Sequence, residues 1–262
     1  PELFFDSYRL SSLSYIDEYG EEITIERNIK LDAIFYKTLS TYDDWQKVSS
    51  TVAENYLLIN NIDFKDKAKV KTNVMFNRLE TPGGNLEYSL SNINLEFATA
   101  GHYHALIQKV STAISNIKFE NITLTDQTNG QHNNVNLIMY NYGSVNNLTF
   151  NNVTSDAPNK YYVGAIGTHY GYTINDIELN NVTVNGLKYV GSFIAYADNK
   201  VDDNYKNIVA KNITINSYNV GNVISESVGG IFGQFRNSFN HGEKPVYTDF
   251  HISDSNINSN GR

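Results

Sequence analysis

One short pattern occurs four times between residues 115 and 233, and it constrains the fold more than any other feature of the chain. Each copy joins an alternating apolar segment to Asn-Ile-Thr or Asn-Val-Thr. The copies begin at Asn116, Asn147, Asp176 and Asn207. Their spacings are 31, 29 and 31 residues. A fixed period of this size indicates structural repeats that stack on one another.

Each period holds three short strands. In the first copy, Ile117 and Phe119 point inward, the chain bends at Asn121, and Ile122 and Leu124 point inward again. The third strands are the segments 135–139, 162–167, 189–195 and 227–233. The pattern therefore predicts an all-β fold, a right-handed parallel β-helix with three strands and about 30 residues per coil. A βα solenoid lacks room for helical crossovers, and a propeller needs longer repeats.

A fifth copy starts with Phe250, and aligning it pairs Phe250 with Ile208, Asp254 with Asn212 and Ile257 with Ile215. The interval is longer than the others, so extra loops are expected within residues 218–226 and 237–245. Insertions in a repeat protein emerge as loops, often on the face that binds a partner.

The remainder of the chain is predicted in three parts. Residues 1–40 form a small β element or the end of a preceding domain, and residues 41–54 form a capping helix. Thr41 is its N-cap, and Trp45, Val48 and Val52 share its apolar face, with Trp45 a buried packing residue. Residues 55–262 form the β-helix, which is expected to be truncated at its C-terminus. Its early coils, within residues 90–107, are expected to be degenerate.

The composition excludes several classes of partner and site. The net charge is −8 without a basic cluster, which argues against nucleic acid, and no apolar run is long enough to cross a membrane. There is no cysteine, so neither disulfides nor thiolate metal sites are possible.

Asparagines recur at the bend of each coil. Because asparagine tolerates the left-handed backbone conformation and its amide can bond along a stack, these residues are predicted to form a structural ladder. They also belong to Asn-x-Thr sequons, but regular recurrence favours the ladder. The predicted ladder residues are Asn121, Asn152, Asn181, Asn212 and Asp254.

No catalytic, metal or cofactor site is predicted in this chain. The histidines are expected to be solvated or packed, Asp126 is expected to be isolated in a turn, and Asp176 and Asp249 occupy a turn column. Glycines such as Gly164 and Gly191 in the third strand indicate close approach of backbones rather than a phosphate loop.

The chain has 19 tyrosines, many beside the third strand and its turns. Tyrosine suits carbohydrate or protein contact, and stacking between coils explains the same residues equally well. The possible partner-binding surface comprises Tyr170, Tyr172, Tyr196, Asp202, Asp203, Tyr205, Tyr218 and His241.

The order of strands, Tyr42-Asp43-Asp44-Trp45, the segment 55–64 and the Tyr-Val-Gly repeats resembles a known family. It is similar to the non-catalytic β-helical region of Gram-positive IgA1-protease-type zinc metallopeptidases, and to β-helical segments of Firmicutes surface adhesins. The resemblance implies an extracellular protein, secreted or cell-wall anchored, with zinc only in a downstream domain. None of the family's catalytic motif has matching positions here.

The leading hypothesis is thus a non-catalytic spacer and substrate-docking domain of such a metallopeptidase. Its expected partners are a host protein such as immunoglobulin, or a glycan, together with neighbouring domains of the same polypeptide. The alternative is an adhesin domain that binds host or microbial glycans. A third hypothesis, a polysaccharide lyase or hydrolase, requires aligned acids over a groove.

Overall fold

A computed structural model describes residues 8–16, 22–31, 34–82, 88–98, 103–129, 134–171, 173–199, 204–218, 227–237 and 246–259. The fold is nearly all β, with 70% strand and 4% helix. The first elements are β1 (Tyr8–Ile16), β2 (Glu22–Leu31), β3 (Lys37–Leu39), α1 (Tyr42–Lys47), β4 (Glu54–Leu58), β5 (Ile62–Asp63), β6 (Val74–Glu80), β7 (Tyr88–Glu96), β8 (Tyr103–Thr125) and β9 (Asn134–Asn141). The others are β10 (Ser144–Asp156), β11 (Tyr162–His169), β12 (Thr173–Gly186), β13 (Tyr189–Gly191), β14 (Ile194–Asn199), β15 (Asn204–Ser217), β16 (Ser227–Gly229), β17 (Phe232–Asn237), β18 (Val246–Ser253) and β19 (Asn256–Ser259).

The strands β3 to β19 form a parallel β-solenoid with about 31 residues per turn. The predicted fold class is therefore confirmed. The repeats pair in the predicted register, because Leu148 lies beside Ile117 on one side and Ile177 on the other. The fifth copy also pairs as predicted, with Phe250 beside Ile208 and Ile257 beside Ile215.

The core is built from columns of inward-facing side chains, each column holding the same position of successive coils. One column contains Ile117, Leu148, Ile177 and Ile208, all completely buried. In the next column the rings of Phe119 and Phe150 stack with their centroids 5.2 Å apart. Removing these apolar surfaces from water, roughly 25 cal/mol per Å² buried, is the main stabilising force of the stack.

The bend asparagines hydrogen-bond to one another along the stack. Asn121, Asn152, Asn181, Asn212 and Asp254 have positive φ angles between 50° and 55°. Asn152 Nδ2 donates to Asn121 Oδ1 at 3.0 Å, and each of the next two asparagines repeats this bond to its predecessor at 3.0 Å. Because one left-handed residue turns the chain, the strands on its two sides remain one bent strand, such as β10, rather than the two separate strands expected.

Asn92 extends this ladder toward the N-terminus. Its φ is 58°, and its Oδ1 accepts from Asn121 Nδ2 at 3.1 Å. The strand β7 that carries it pairs residue by residue with β8. The expectation that this coil is degenerate was wrong, since the bend residue and the register are both regular.

A second ladder marks the other bend. Asn116, Asn147, Asp176, Asn207 and Asp249 all have positive φ. Asn147 donates to Asn116 at 2.9 Å, and Asn207 donates to the Asp176 carboxylate at 2.7 Å. Asp176 and Asp249 are thus turn residues, as their column predicts.

The helix α1 packs over the first coil. Thr41 is its N-cap and forms a capping box with Asp44. Trp45 is completely buried; its ring meets Phe64 and Phe76, and Nε1 donates to the Lys71 carbonyl at 2.9 Å. The helix ends at Lys47, shorter than the predicted 41–54.

The segment after α1 and the start of the stack each differ from the prediction in one detail. Val52 lies beyond the helix and is 57% exposed, so it does not share the buried face of Val48. The strand β3 precedes α1 and already pairs in parallel with β4, so the stack begins ahead of the helix. The strands β1 and β2 form a separate antiparallel pair.

Backbone segments approach each other closely at the glycines of the third strands. A Cβ added to Gly164 would lie 2.7 Å from the Gly191 carbonyl oxygen, and one added to Gly191 would lie 2.4 Å from the Ile194 oxygen. Both distances are far shorter than normal contacts, so only glycine fits. The predicted close approach of backbones is confirmed at these positions.

Candidate functional site: a tyrosine face on the third strands

Six half-buried or exposed tyrosines lie along the third strands and the residues that follow them. We call this surface the tyrosine face; it comprises Tyr140, Tyr142, Tyr162, Tyr170, Tyr189 and Tyr196. The parallel register brings them together: Thr168 lies beside Tyr140 in one coil and beside Tyr196 in the other, and Tyr162 lies beside Tyr189. Residues far apart in sequence thereby share one side of the stack.

The rings contact one another between coils. Tyr142 and Tyr170 stack with centroids 5.0 Å apart, and Tyr162 and Tyr189 lie 4.8 Å apart. The ring of Tyr196 meets the rings of Tyr162 and Tyr189 edge-on at 6.1 and 6.0 Å. From the sequence, stacking between coils and contact with a ligand explain these tyrosines equally well. The structure shows the stacking, which occupies ring faces and leaves the exposed ring surface as the part open to a partner.

Cations surround these rings. Lys109 Nζ lies 5.0 Å from the centroid of Tyr142, and Lys188 Nζ lies 5.4 Å from that of Tyr189. Arg236 hydrogen-bonds Tyr196 through its side chain. In a chain of net charge −8, three cations thus lie beside the phenol rings of this surface, and Asp198 offsets part of the charge near Arg236.

Tyr170 stacks on Tyr142 and also interacts electrostatically with Tyr162 and Tyr196. Burial raises the pKa of its phenol, and the neighbouring Tyr142, Asp198 and Tyr196 raise it further. The Tyr170 hydroxyl is protonated at neutral pH, as that of an ordinary tyrosine is, and can donate a hydrogen bond.

The predicted partner-binding residues fall into four groups. Tyr170 and Tyr196 belong to the tyrosine face, and Tyr218 is 36% exposed just after β15. Tyr205 is completely buried, so its assignment to a surface was wrong. It lies beside Ile174 in an inward column, where its ring meets His169 and Phe232. The other predicted positions, Tyr172, Asp202, Asp203 and His241, lie outside the described residues.

A shallow groove runs along a different face, over the short strands between the two bends. It has a volume of about 250 Å³. Its lining residues are Asn147, Thr149, Asp176, Ile177, Glu178, Asn207 and Val209. The groove contains two acidic residues, Asp176 and Glu178, and the Asp176 carboxylate already accepts a hydrogen bond from the Asn207 amide in the ladder. The groove therefore supplies no pair of free carboxylates for acid and base catalysis.

A buried polar cluster, which the sequence did not reveal, lies at one corner of the stack. Asp126 Oδ2 lies 2.6 Å from His104 Nδ1, and Asp126 Oδ1 lies 3.4 Å from Lys160 Nζ. The expectation that Asp126 is isolated in a turn was therefore wrong. The sequence did contain one sign of this contact. Asp126 and Lys160 follow the ends of two consecutive repeats, and residues at such positions meet at the same corner of the stack.

The described residues contain neither a metal-binding cluster nor a membrane-spanning helix. No three His, Asp or Glu side chains in the described ranges converge closely enough to hold a metal ion. None of the described helical segments has the length and apolarity needed to span a membrane.

Comparisons with models of protein families, with curated proteins and with solved structures gave no match. Nothing in them links the chain to IgA1-protease-type metallopeptidases, so that resemblance stays a prediction.

Proposed function

We propose that this chain is a non-catalytic β-helical docking module that binds an acidic glycan through the tyrosine face. The observation that carries the proposal is the concentration of phenol rings and cations on one side of the stack. The ring surface that the stacking leaves exposed offers an apolar contact to the carbon skeleton of a sugar, and the phenol hydroxyls exchange hydrogen bonds with sugar hydroxyls.

The charges favour an acidic sugar over a neutral one. Lys109, Lys188 and Arg236 lie beside the rings, where they attract carboxylate or sulfate groups. Elsewhere the chain's net charge of −8 repels polyanions, so binding is directed to this face. Rings that recur at 4.8 to 5.0 Å between coils suit an extended ligand that runs along the stack.

The proposal also includes the place where the protein acts. A glycan-docking rod of this kind serves outside the cell, secreted or attached to the cell wall, and holds its neighbouring domains at a distance. Its place in a zinc metallopeptidase would be tested by the sequence of the whole polypeptide, where a downstream His-Glu-x-x-His motif is the expected signature.

The test is binding of the purified chain to an array of acidic and neutral glycans and to immunoglobulin. We expect binding to acidic glycans that weakens with salt. The double variant Tyr162→Ala/Tyr189→Ala should lose at least tenfold in affinity. The control Val209→Ala removes an exposed side chain from the groove on the other face and should bind normally.

Three results would overturn the proposal. One is silence on the array, and another is equal binding by the double variant when circular dichroism shows it to be folded. The third is immunoglobulin binding that survives enzymatic deglycosylation, which would favour docking on a protein surface instead.

A further inference from the structure

The buried cluster around Asp126 brings together the reactants of an amide condensation. Asp126 and Lys160 follow the ends of β8 and β10 on adjacent coils, and both are completely buried. Lys160 Nζ lies 3.4 Å from Asp126 Oδ1. The amine and the carboxyl group are therefore held next to each other, which raises their effective concentration.

Thr128 connects the two groups. Its backbone N–H and its hydroxyl both donate to Asp126 Oδ1, at 2.8 and 2.7 Å, and its hydroxyl accepts from Lys160 Nζ at 2.8 Å. Lys160 Nζ also donates to the Thr128 carbonyl at 3.1 Å, so Thr128 holds the amine beside the carboxyl group. The two donors also form a site that stabilises negative charge on Oδ1, as an oxyanion hole does.

His104 contacts the other carboxyl oxygen. Its Nδ1 lies 2.6 Å from Asp126 Oδ2, and its ring stacks on Phe97 with centroids 4.7 Å apart and 6° between the planes. Only 5% of His104 is exposed. A fixed imidazole beside a carboxyl oxygen is suited to deliver a proton when that oxygen leaves.

Burial disfavours the charged pair. An ammonium and a carboxylate removed from water lose a hydration energy that their attraction only partly restores. Condensation to an amide removes both charges, so the product does not carry this cost.

From this geometry we propose that Lys160 and Asp126 are joined by an intramolecular isopeptide bond, formed with His104 as the acid–base group. The Nζ–Cγ bond forms and the Cγ–Oδ2 bond breaks. Of the three ammonium protons, one stays on the amide nitrogen and two leave with Oδ2 as water. No electron is gained or lost, and His104 returns to its starting protonation state. The bond ties two adjacent coils together at their corner.

The intact mass of the purified protein under denaturing conditions tests the proposal directly. We expect a mass about 18 Da below that of the sequence, the loss of one water. Trypsin supplies the location, because the chain has no lysine or arginine between Lys118 and Lys160 or between Lys160 and Lys188. The linked protein should resist cleavage after Lys160 and yield the single fragment 119–188.

Variants separate the bond from other sources of mass loss. Lys160→Met and Asp126→Ala should have their full sequence masses, whereas Asp126→Asn should form the same amide by releasing ammonia, a loss of about 17 Da. His104→Ala should lower the linked fraction of freshly prepared protein at least tenfold. The control Lys211→Met, at an exposed position on β15, should remain fully linked.

The wild-type protein decides the question even if variants fail to fold. A full sequence mass with normal cleavage after Lys160 would overturn the proposal. A mass loss of about 17 or 18 Da with normal cleavage there would also overturn it, because it would indicate succinimide formation at an asparagine or aspartate.

Discussion

Replacing the central bend residue, Asn152, separates the two roles of the asparagine ladder. Its φ is 55°, and its amide donates to Asn121 and accepts from Asn181, both at 3.0 Å. Alanine would remove both bonds and leave a Cβ residue in the left-handed conformation without the amide. Glycine would remove the same bonds but adopts this conformation freely.

The magnitudes follow from these differences. Two exposed side-chain hydrogen bonds contribute about 0.5 kcal/mol each. The left-handed conformation adds about 1 kcal/mol for alanine relative to asparagine or glycine. Asn152→Ala should therefore lower the free energy of unfolding by about 2 kcal/mol and Asn152→Gly by about 1 kcal/mol.

The neighbouring Asn151 is the matched control. Its amide oxygen accepts from Asn180 at 3.1 Å, but its backbone has no positive φ. In an ordinary strand conformation glycine is less stable than alanine by about 0.5 to 1 kcal/mol. The order of the two substitutions should thus reverse, with glycine the better residue at position 152 and alanine the better residue at position 151.

Urea unfolding followed by far-ultraviolet circular dichroism measures all four variants. Dichroism reports on the whole stack, whereas the fluorescence of Trp45 would report mainly on the cap at one end. If alanine and glycine at position 152 were equally destabilising, the amide bonds alone would explain the ladder, and the argument from backbone conformation would be refuted.

Two further substitutions test the interior. Ser155 lies in an inward column between Leu124 and Val184, and its buried hydroxyl has no hydrogen-bond partner among the described residues. Ser155→Ala should therefore raise the free energy of unfolding by about 1 kcal/mol. A lower urea midpoint would contradict this. Gly191→Ala should destabilise by more than 2 kcal/mol, because the new Cβ would meet backbone atoms at 2.4 and 2.5 Å. Gly230→Ala is its control, since that Cβ would meet mainly a movable isoleucine methyl, and equal losses of stability would contradict the packing argument.

The architecture could be predicted from the sequence because each coil repeats the same local requirements. The bend needs a residue that tolerates positive φ, and the inward positions need apolar side chains. Both requirements recur at the period of the stack, so alignment of the copies yields the strand register, including the pairing of Phe250 with Ile208. The coil around Asn92 was underestimated because its bend residue fits while its neighbours diverge from the consensus.

The candidate site could be predicted only in part. A high tyrosine content near the third strands indicated a binding surface, but composition could not say which tyrosines face outward. Tyr205 was placed on the surface, although its register with Ile174 directs it into the core. For Tyr205 a signal was available, because the aligned copies carry Ile114, Val145 and Ile174 at the same position, two residues ahead of the bend.

The sequence by itself determined the parallel stack, its period and its asparagine ladders, because these depend on residues that repeat with the coil. Only the tertiary structure decided which tyrosines share a face with Lys109, Lys188 and Arg236, and that His104, Asp126 and Lys160 meet. Those encounters involve residues that occur once, at corners of different coils. Their distances depend on how the coils stack, which no local pattern specifies.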